Sequence, residues 1–131
     1  MPRPVRVAAG LVRDPVTGRV RPLEDEDSWM TWVRDLAQRR SWMTYHTLRS
    51  KGSEPGFPDL VLVRPPRLVF VELKTDSPRS GPSREQRDWL DALDAVANGG
   101  GRRHRTRTGY PIPETYIWRP RDRDLITAAL W

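Results

Sequence analysis

Two aliphatic runs in the middle of the chain constrain its fold more than any other feature. They occupy residues 60–63 and 68–73 and are joined by the turn sequence Arg-Pro-Pro-Arg. Nearly continuous aliphatic runs are typical of strands that are covered on both faces. The stretch 56–75 therefore predicts a hairpin of two buried strands.

Three charged residues lie at the ends of this hairpin. Asp59 opens the first strand, and Glu72 and Lys74 close the second. Side chains alternate across a strand, so Glu72 and Lys74 share one face with Leu68 and Phe70. In a hairpin the start of one strand lies beside the end of the next, which brings the three charges into one cluster. There is a simpler alternative for each signal: Glu72 and Lys74 could be a solvated surface pair, and Asp59 could be an ordinary turn residue.

A divalent metal ion would stabilise this cluster. Two neighbouring carboxylates repel, and one takes up a proton unless a cation lies between them. Mg²⁺ favours two carboxylates with water and phosphate oxygens. The sequence therefore predicts Asp59 and Glu72 as metal ligands, with the carbonyl of Leu73 as a further oxygen. Lys74 is predicted to orient or help deprotonate a water and to neutralise charge at a phosphorus centre.

The rest of the chain predicts a small α/β domain, with a mixed central β-sheet flanked by helices. Residues 1–22 are predicted to form an N-terminal arm or hairpin, and residues 23–131 the domain. Hydrophobic spacing and turn signals predict the following elements: helix 23–40, strand 42–47, helix 83–98, strand 115–119 and helix 121–131. The inner stripe of the second helix is predicted to contain Trp89, Leu90, Leu93, Val96 and Ala97.

Composition narrows the class of partner. The chain has 23 basic and 17 acidic residues, and all the basic ones except Lys51 and Lys74 are arginine. The planar guanidinium group of arginine binds phosphate oxygens and stacks on bases. A gene rich in G and C would give the same excess of arginine over lysine. The absence of cysteine excludes thiolate metal sites and fits a reducing cytoplasm. No apolar run approaches the roughly 20 residues of a membrane helix, so we expect a soluble, cytoplasmic protein without a membrane partner.

The motif residues resemble a known family. The segments GFPDLVLVRPPRLVFVELKTD and SREQRDWLDAL are similar to the PD-(D/E)xK nuclease superfamily, and most closely to its VRR-NUC branch, which includes small stand-alone phage versions. Pro58-Asp59 matches the "PD" and Glu72-Leu73-Lys74 the "ExK", and the resemblance covers about residues 26–120. It implies a restriction-endonuclease-like core and hydrolysis of DNA phosphodiester bonds that depends on Mg²⁺ or Mn²⁺. Its phage members imply that the protein acts in the cytoplasm of a bacterium or a phage-infected host cell.

The same resemblance implies two further catalytic residues. Glu26 in the first helix corresponds to a metal-binding Glu, although an acid there also suits the positive end of a helix dipole. Relatives often carry Gln four residues later, where this chain has Met30. Gln86 corresponds to a Gln that faces the site, but Ser83-Arg84-Glu85-Gln86 is also a capping box.

Basic residues and one histidine are predicted to contact DNA. They are His46, Arg49, Lys51, Arg102, Arg103, Arg105 and Arg107. The alternatives are a hydrogen-bonded structural role for the histidine and a solvated loop for the arginine run.

The substrate is predicted to be branched or structured DNA, because the chain shows no separate base-reading module. Stand-alone members of the branch resemble dimeric four-way-junction (Holliday junction) resolvases, which implies a homodimer. One alternative is a non-catalytic DNA-binding module of the same fold. Another is a nuclease subunit that works beside a helicase or packaging motor. Since this sequence has no P-loop, such a motor would be a separate chain.

Overall fold

The computed structural model describes residues 5–8, 11–13, 17–22, 24–48, 54–99 and 104–131. These residues form two sheets and three α-helices. In chain order the elements are β1 (Val5–Ala8), β2 (Leu11–Arg13), β3 (Val20–Pro22), α1 (Glu26–Arg39), β4 (Met43–His46), β5 (Leu60–Arg64), β6 (Arg67–Leu73), α2 (Arg84–Asn98), β7 (Glu114–Trp118), a short 3₁₀ helix (Pro120–Asp122) and α3 (Arg123–Ala129). The first sheet has the order β1-β2-β3 and is antiparallel. The second sheet has the order β4-β5-β6-β7.

The four-stranded sheet is mixed and is flanked by helices, which confirms the predicted α/β class. The β5–β6 hairpin is antiparallel, with Leu60 opposite Val71 and Arg64 opposite Arg67. Strand β4 pairs antiparallel with β5, and β7 pairs parallel with β6. Since β7 runs parallel to β6, the loop that precedes β7 lies at the end of the sheet where β6 begins.

The two faces of this sheet are covered unequally. Helix α1 packs on one face, where Trp29 and Val33 meet Leu60, Val69 and Val71 in a fully buried core. Helix α2 packs on the other face, mainly against β7.

On the face of α2, an aromatic cluster joins the helix to β6. Phe57 contacts Phe70 and Trp89, with ring centroids 6.0 and 5.1 Å apart respectively. Val61 and Val63 of β5 are only partly buried on this side. Leu68 and Phe70 of β6 are partly buried as well, so both hairpin strands are covered on both faces, more completely on the face of α1.

Two element details also differ from the predictions. Helix α1 begins at Glu26 rather than residue 23, because the side chain of Asp25 accepts a hydrogen bond from the N–H of Ser28 at 2.7 Å and caps the helix. In α2, Leu90 and Ala97 are buried, whereas Val96 is 60% exposed. Val96 therefore does not belong to the inner stripe.

A buried ion pair lies at the start of β6 and β7. Arg67 donates two hydrogen bonds to Glu114, both at 2.7 Å, and a third to the carbonyl of Ala129 at 2.6 Å. Tyr116 donates to the same Glu114 at 2.6 Å. This network joins β6, β7 and α3, so we assign it a structural role. Within the part of the chain described, no helix has the length and apolarity needed to cross a membrane.

Candidate functional site

Asp59 and Glu72 lie side by side across the hairpin. Because Leu60 is opposite Val71, the preceding residue, Asp59, comes next to Glu72. The backbone N–H of Leu73 donates to Oδ2 of Asp59 at 2.8 Å. Asp59 is 8% exposed and Glu72 is fully buried. The hairpin thus holds two carboxylates together in a poorly hydrated place.

The two oxygens of Glu72 have different surroundings. Oε1 accepts a hydrogen bond from Nε2 of Gln86 at 2.8 Å and lies 3.4 Å from Nζ of Lys74. Oε2 is buried and has no hydrogen-bond partner. A buried carboxylate oxygen without a donor is costly unless a proton or a cation satisfies it.

Burial and Asp59 both favour the protonated form of Glu72. Burial is the larger cause and the Asp59 carboxylate the second, and together they raise the pKa of Glu72 to about 8, although Lys74 acts in the opposite direction. At neutral pH, Glu72 therefore retains a proton when no metal is bound. This proton also permits a hydrogen bond to Asp59, since two ionised carboxylates only accept.

Gln86 forms the predicted capping box and also contacts Glu72. Its Oε1 accepts from the N–H of Ser83 at 2.8 Å, while Oγ of Ser83 accepts from the N–H of Gln86 at 3.2 Å. This is a complete capping box at the start of α2. The amide group of the same side chain donates to Glu72. One residue thus ties the start of α2 to the acid pair.

A pocket of about 300 Å³ opens at this end of the sheet. It is lined by Glu26, Asp27, Trp29, Met30, His46, Asp59, Leu73 and Lys74. The first turn of α1 brings Glu26 to the pocket, and Met30 follows one turn later on the same side. The structure therefore gathers the predicted residues Glu26, His46, Leu73 and Lys74 around Asp59. Glu72 is fully buried next to Asp59 and does not line the pocket.

Thr47 was missed by the sequence analysis as a site residue. Its backbone N–H donates to the carbonyl of Asp59 at 2.9 Å, and its hydroxyl donates to the carbonyl of Pro58 at 2.8 Å. These bonds fix the backbone that presents the Asp59 carboxylate. No local pattern marks this residue, because its partners lie 11 and 12 positions away.

A second unpredicted contact holds the chain just beyond Lys74. The N–H of Lys74 donates to the carbonyl of Trp118 at 3.0 Å, which extends the parallel pairing with β7. One residue further, Nη1 of Arg119 donates to the carbonyl of Thr75 at 2.6 Å. Lys74 is 7% exposed, so its ammonium group is held at the inner wall of the pocket.

The donor set fits one divalent cation that takes only part of its coordination shell from the protein. Among the described residues, no group of three or more His, Cys, Asp or Glu side chains is arranged to hold a metal ion. The acid pair offers the orphaned Oε2 of Glu72 beside Asp59, and Leu73 lines the adjacent pocket. Mg²⁺ commonly binds through one or two carboxylates and keeps several waters. Glu26 lines the same pocket but does not form a three-carboxylate group with Asp59 and Glu72.

The predicted DNA-binding residues do not all lie near this pocket. Arg49, Lys51, Arg102 and Arg103 fall outside the described residues. Arg105 and Arg107 are exposed on the loop before β7, whose Tyr110 ring lies 3.7 Å from the guanidinium carbon of Arg67. The length of β6 separates that end of the sheet from Leu73 by about 20 Å.

Comparison of the chain with protein-family models, curated proteins and solved structures found no match.

Proposed function

We propose that this protein is a divalent-metal-dependent endonuclease that hydrolyses DNA phosphodiester bonds. The single observation that carries this proposal is the side-by-side placement of Asp59 and Glu72, with Nζ of Lys74 3.4 Å from Glu72 and a pocket that Asp59 and Lys74 line. The order of elements supports a restriction-endonuclease-like core: α1, three antiparallel strands, α2 and a parallel β7.

Asp59, Glu72 and the carbonyl of Leu73 would hold the ion. When bound, Mg²⁺ or Mn²⁺ supplies Lewis-acid activation of a water and of the scissile phosphate. A bound cation would take the place of the proton on Glu72, so that both buried carboxylates would be ionised.

The protein side chains supply positioning and charge. Lys74 lies at the pocket wall and would orient the attacking water and offset negative charge that builds on the phosphate. Gln86 holds Oε1 of Glu72, so Oε2 would be the oxygen left to bind the cation. Glu26 and His46 line the mouth of the pocket, where a water or the phosphate would lie. Branched or structured DNA remains our expected substrate.

A cleavage panel tests this proposal. Linear duplex, single strand, flap and four-way junction are incubated with Mg²⁺ or Mn²⁺ and with wild type, Asp59→Asn or Lys74→Met. Asp88→Asn, which changes an exposed carboxylate on α2, is the matched control. We expect metal-dependent cleavage that falls by about 100-fold or more in both site variants and is unchanged in the control. Equal cleavage by wild type and both site variants would overturn the assignment, and DNA binding without cleavage would favour a non-catalytic module.

A further inference from the structure

A cleft between helix α1 and the edge strand β4 continues from the pocket. Thr44 and His46 pair with Leu62 and Leu60, two core residues under α1, so both lie on the face of the sheet that α1 covers. Nε2 of Gln38 donates to Oγ1 of Thr44 at 3.2 Å, which fixes how α1 lies along β4. We call this feature the α1–β4 cleft; its residues are Met30, Arg34, Gln38, Thr44 and His46.

Arg34 lies level with His46 in this cleft. The chain turns back between the end of α1 at Arg39 and the start of β4 at Met43, so the strand runs back along the helix. From the contact between Gln38 and Thr44, four residues back to Arg34 cover about 6 Å, and two residues forward to His46 cover about 7 Å. His46 lines the pocket. Arg34 is therefore next to the mouth of the pocket, on the side of β4.

The guanidinium group of Arg34 lacks an acceptor. Its Nε is buried and has no hydrogen-bond partner, and no carboxylate among the described residues forms an ion pair with it. The residue as a whole is partly exposed, so a ligand can reach it from solvent. A buried N–H of a cation without an acceptor costs free energy. A phosphate would remove this cost, because a planar guanidinium binds phosphate through two parallel hydrogen bonds.

We propose that the α1–β4 cleft binds a phosphate of the DNA strand that enters the pocket, and that Arg34 holds this phosphate. The identity of the anion rests on the proposed nuclease function. Lys74 lines the pocket and would serve the reacting phosphate, whereas Arg34 lies outside the pocket lining and would hold a phosphate further along the strand. None of the five cleft residues is acidic, and Thr44 and His46 each offer a further donor.

Contacts to phosphate position a strand without reading its bases. The affinity that is lost without Arg34 should therefore be the same for DNA of any sequence. A phosphate site beside the pocket also fits selection of DNA by structure rather than by sequence.

Fluorescence anisotropy of labelled DNA, with a chelator present to prevent cleavage, tests the cleft. Two duplexes of unrelated sequence are titrated with wild type, Arg34→Gln and Arg39→Gln at several salt concentrations. Arg39 is the matched control, because it is an exposed arginine of the same helix that lies about 140° further round. We expect Arg34→Gln to weaken binding by about 10-fold for both duplexes, and to reduce the slope of log affinity against log salt by about 1. Unchanged binding in Arg34→Gln, an equal loss in Arg39→Gln, or no DNA binding by wild type would overturn the proposal.

Two further measurements separate phosphate binding from a structural role of Arg34. Urea denaturation should give Arg34→Gln the same free energy of unfolding as wild type, because its Nε has no partner to lose. Arg34→Lys retains the charge without the planar fork, so it should restore the salt dependence but only part of the affinity. Weaker DNA binding that accompanies a loss of stability, without recovery in Arg34→Lys, would assign Arg34 to the fold and overturn the proposal.

Cleavage with protein in excess distinguishes a failure of this inference from a failure of the proposed function. At saturating protein, Arg34→Gln should cleave at nearly the wild-type rate, because a contact to a remote phosphate is made equally before and in the transition state. Lys74→Met should remain slow. A wild type that binds DNA through Arg34 without cleavage would overturn the nuclease proposal and support the cleft. Full affinity of Arg34→Gln beside an active wild type would do the reverse.

Discussion

Gln86 joins a helix cap to an acid: its Oε1 accepts from the N–H of Ser83 at 2.8 Å, and its Nε2 donates to Oε1 of Glu72 at 2.8 Å. A single amide therefore depends on both contacts for its orientation. Because Gln86 lies in the first turn of α2, its two hydrogen bonds connect the start of the helix to the candidate metal site.

Two substitutions separate the capping role of Gln86 from its contact with Glu72. Gln86→Glu retains an acceptor for the N–H of Ser83 but replaces the donor to Glu72 with a third carboxylate. Ser83→Ala removes the hydroxyl cap and leaves the amide of Gln86 in place. We expect Gln86→Glu to reduce metal-dependent cleavage by at least about 10-fold. Ser83→Ala should lower the free energy of unfolding by about 1 kcal/mol with little loss of cleavage. Equal cleavage by Gln86→Glu and wild type would contradict the positioning role.

The raised pKa of Glu72 makes the stability of the metal-free chain depend on pH. Its pKa in the folded chain is about 8, against an ordinary value of 4.5, chiefly because the group is buried and secondly because Asp59 is adjacent. Between these two pH values the folded state binds more protons than the unfolded state, so the free energy of unfolding falls as pH rises. The upper limit of this loss is about 5 kcal/mol.

Urea denaturation at several pH values from 5 to about 9, with a chelator present, measures this dependence. Glu72→Gln should flatten the pH dependence and stabilise the chain most at high pH, since a neutral amide avoids a buried charge. Glu85→Gln, an exposed acid on α2, is the control and should behave as wild type. An unchanged slope in Glu72→Gln would show that Glu72 is ionised throughout.

The buried pair Arg67–Glu114 should matter for stability and not for chemistry. Glu114→Gln leaves the charge of Arg67 buried without an ionised partner, for which we expect a loss of about 3–5 kcal/mol in the free energy of unfolding. Glu24→Gln removes the carboxylate from a more exposed ion pair with Arg123, and its expected cost is at most about 1 kcal/mol. Urea denaturation compares the two variants. Equal losses in the free energy of unfolding would show that burial does not determine how much these ion pairs contribute to stability.

The hairpin was predictable because the information for it is local. The two aliphatic runs and the short turn between them determine that the strands are antiparallel neighbours. The placement of Asp59 beside Glu72 then follows from hairpin geometry alone. The start of α2 was predictable for the same reason, because Ser83 and Gln86 form a capping box within four residues.

Other features depend on tertiary packing that no local pattern reveals. The sequence did not predict the direction of β7, and its parallel pairing with β6 places Arg105 and Arg107 at the end of the sheet away from the acids. The amphipathic pattern of α2 included Val96, but the helix lies towards β7 and leaves this residue exposed. The same lateral position leaves Val61 and Val63 partly uncovered.

Calorimetric titration with Mg²⁺, repeated with Mn²⁺, tests the central claim most directly. For wild type at neutral pH, in two buffers of different ionisation enthalpy, we expect one binding event that releases up to one proton, because the cation displaces the proton of Glu72. Asp59→Asn and Glu72→Gln should each abolish that event, while Asp88→Asn should retain it. An affinity and proton release unchanged in both site variants would contradict the assignment of Asp59 and Glu72 as a metal site.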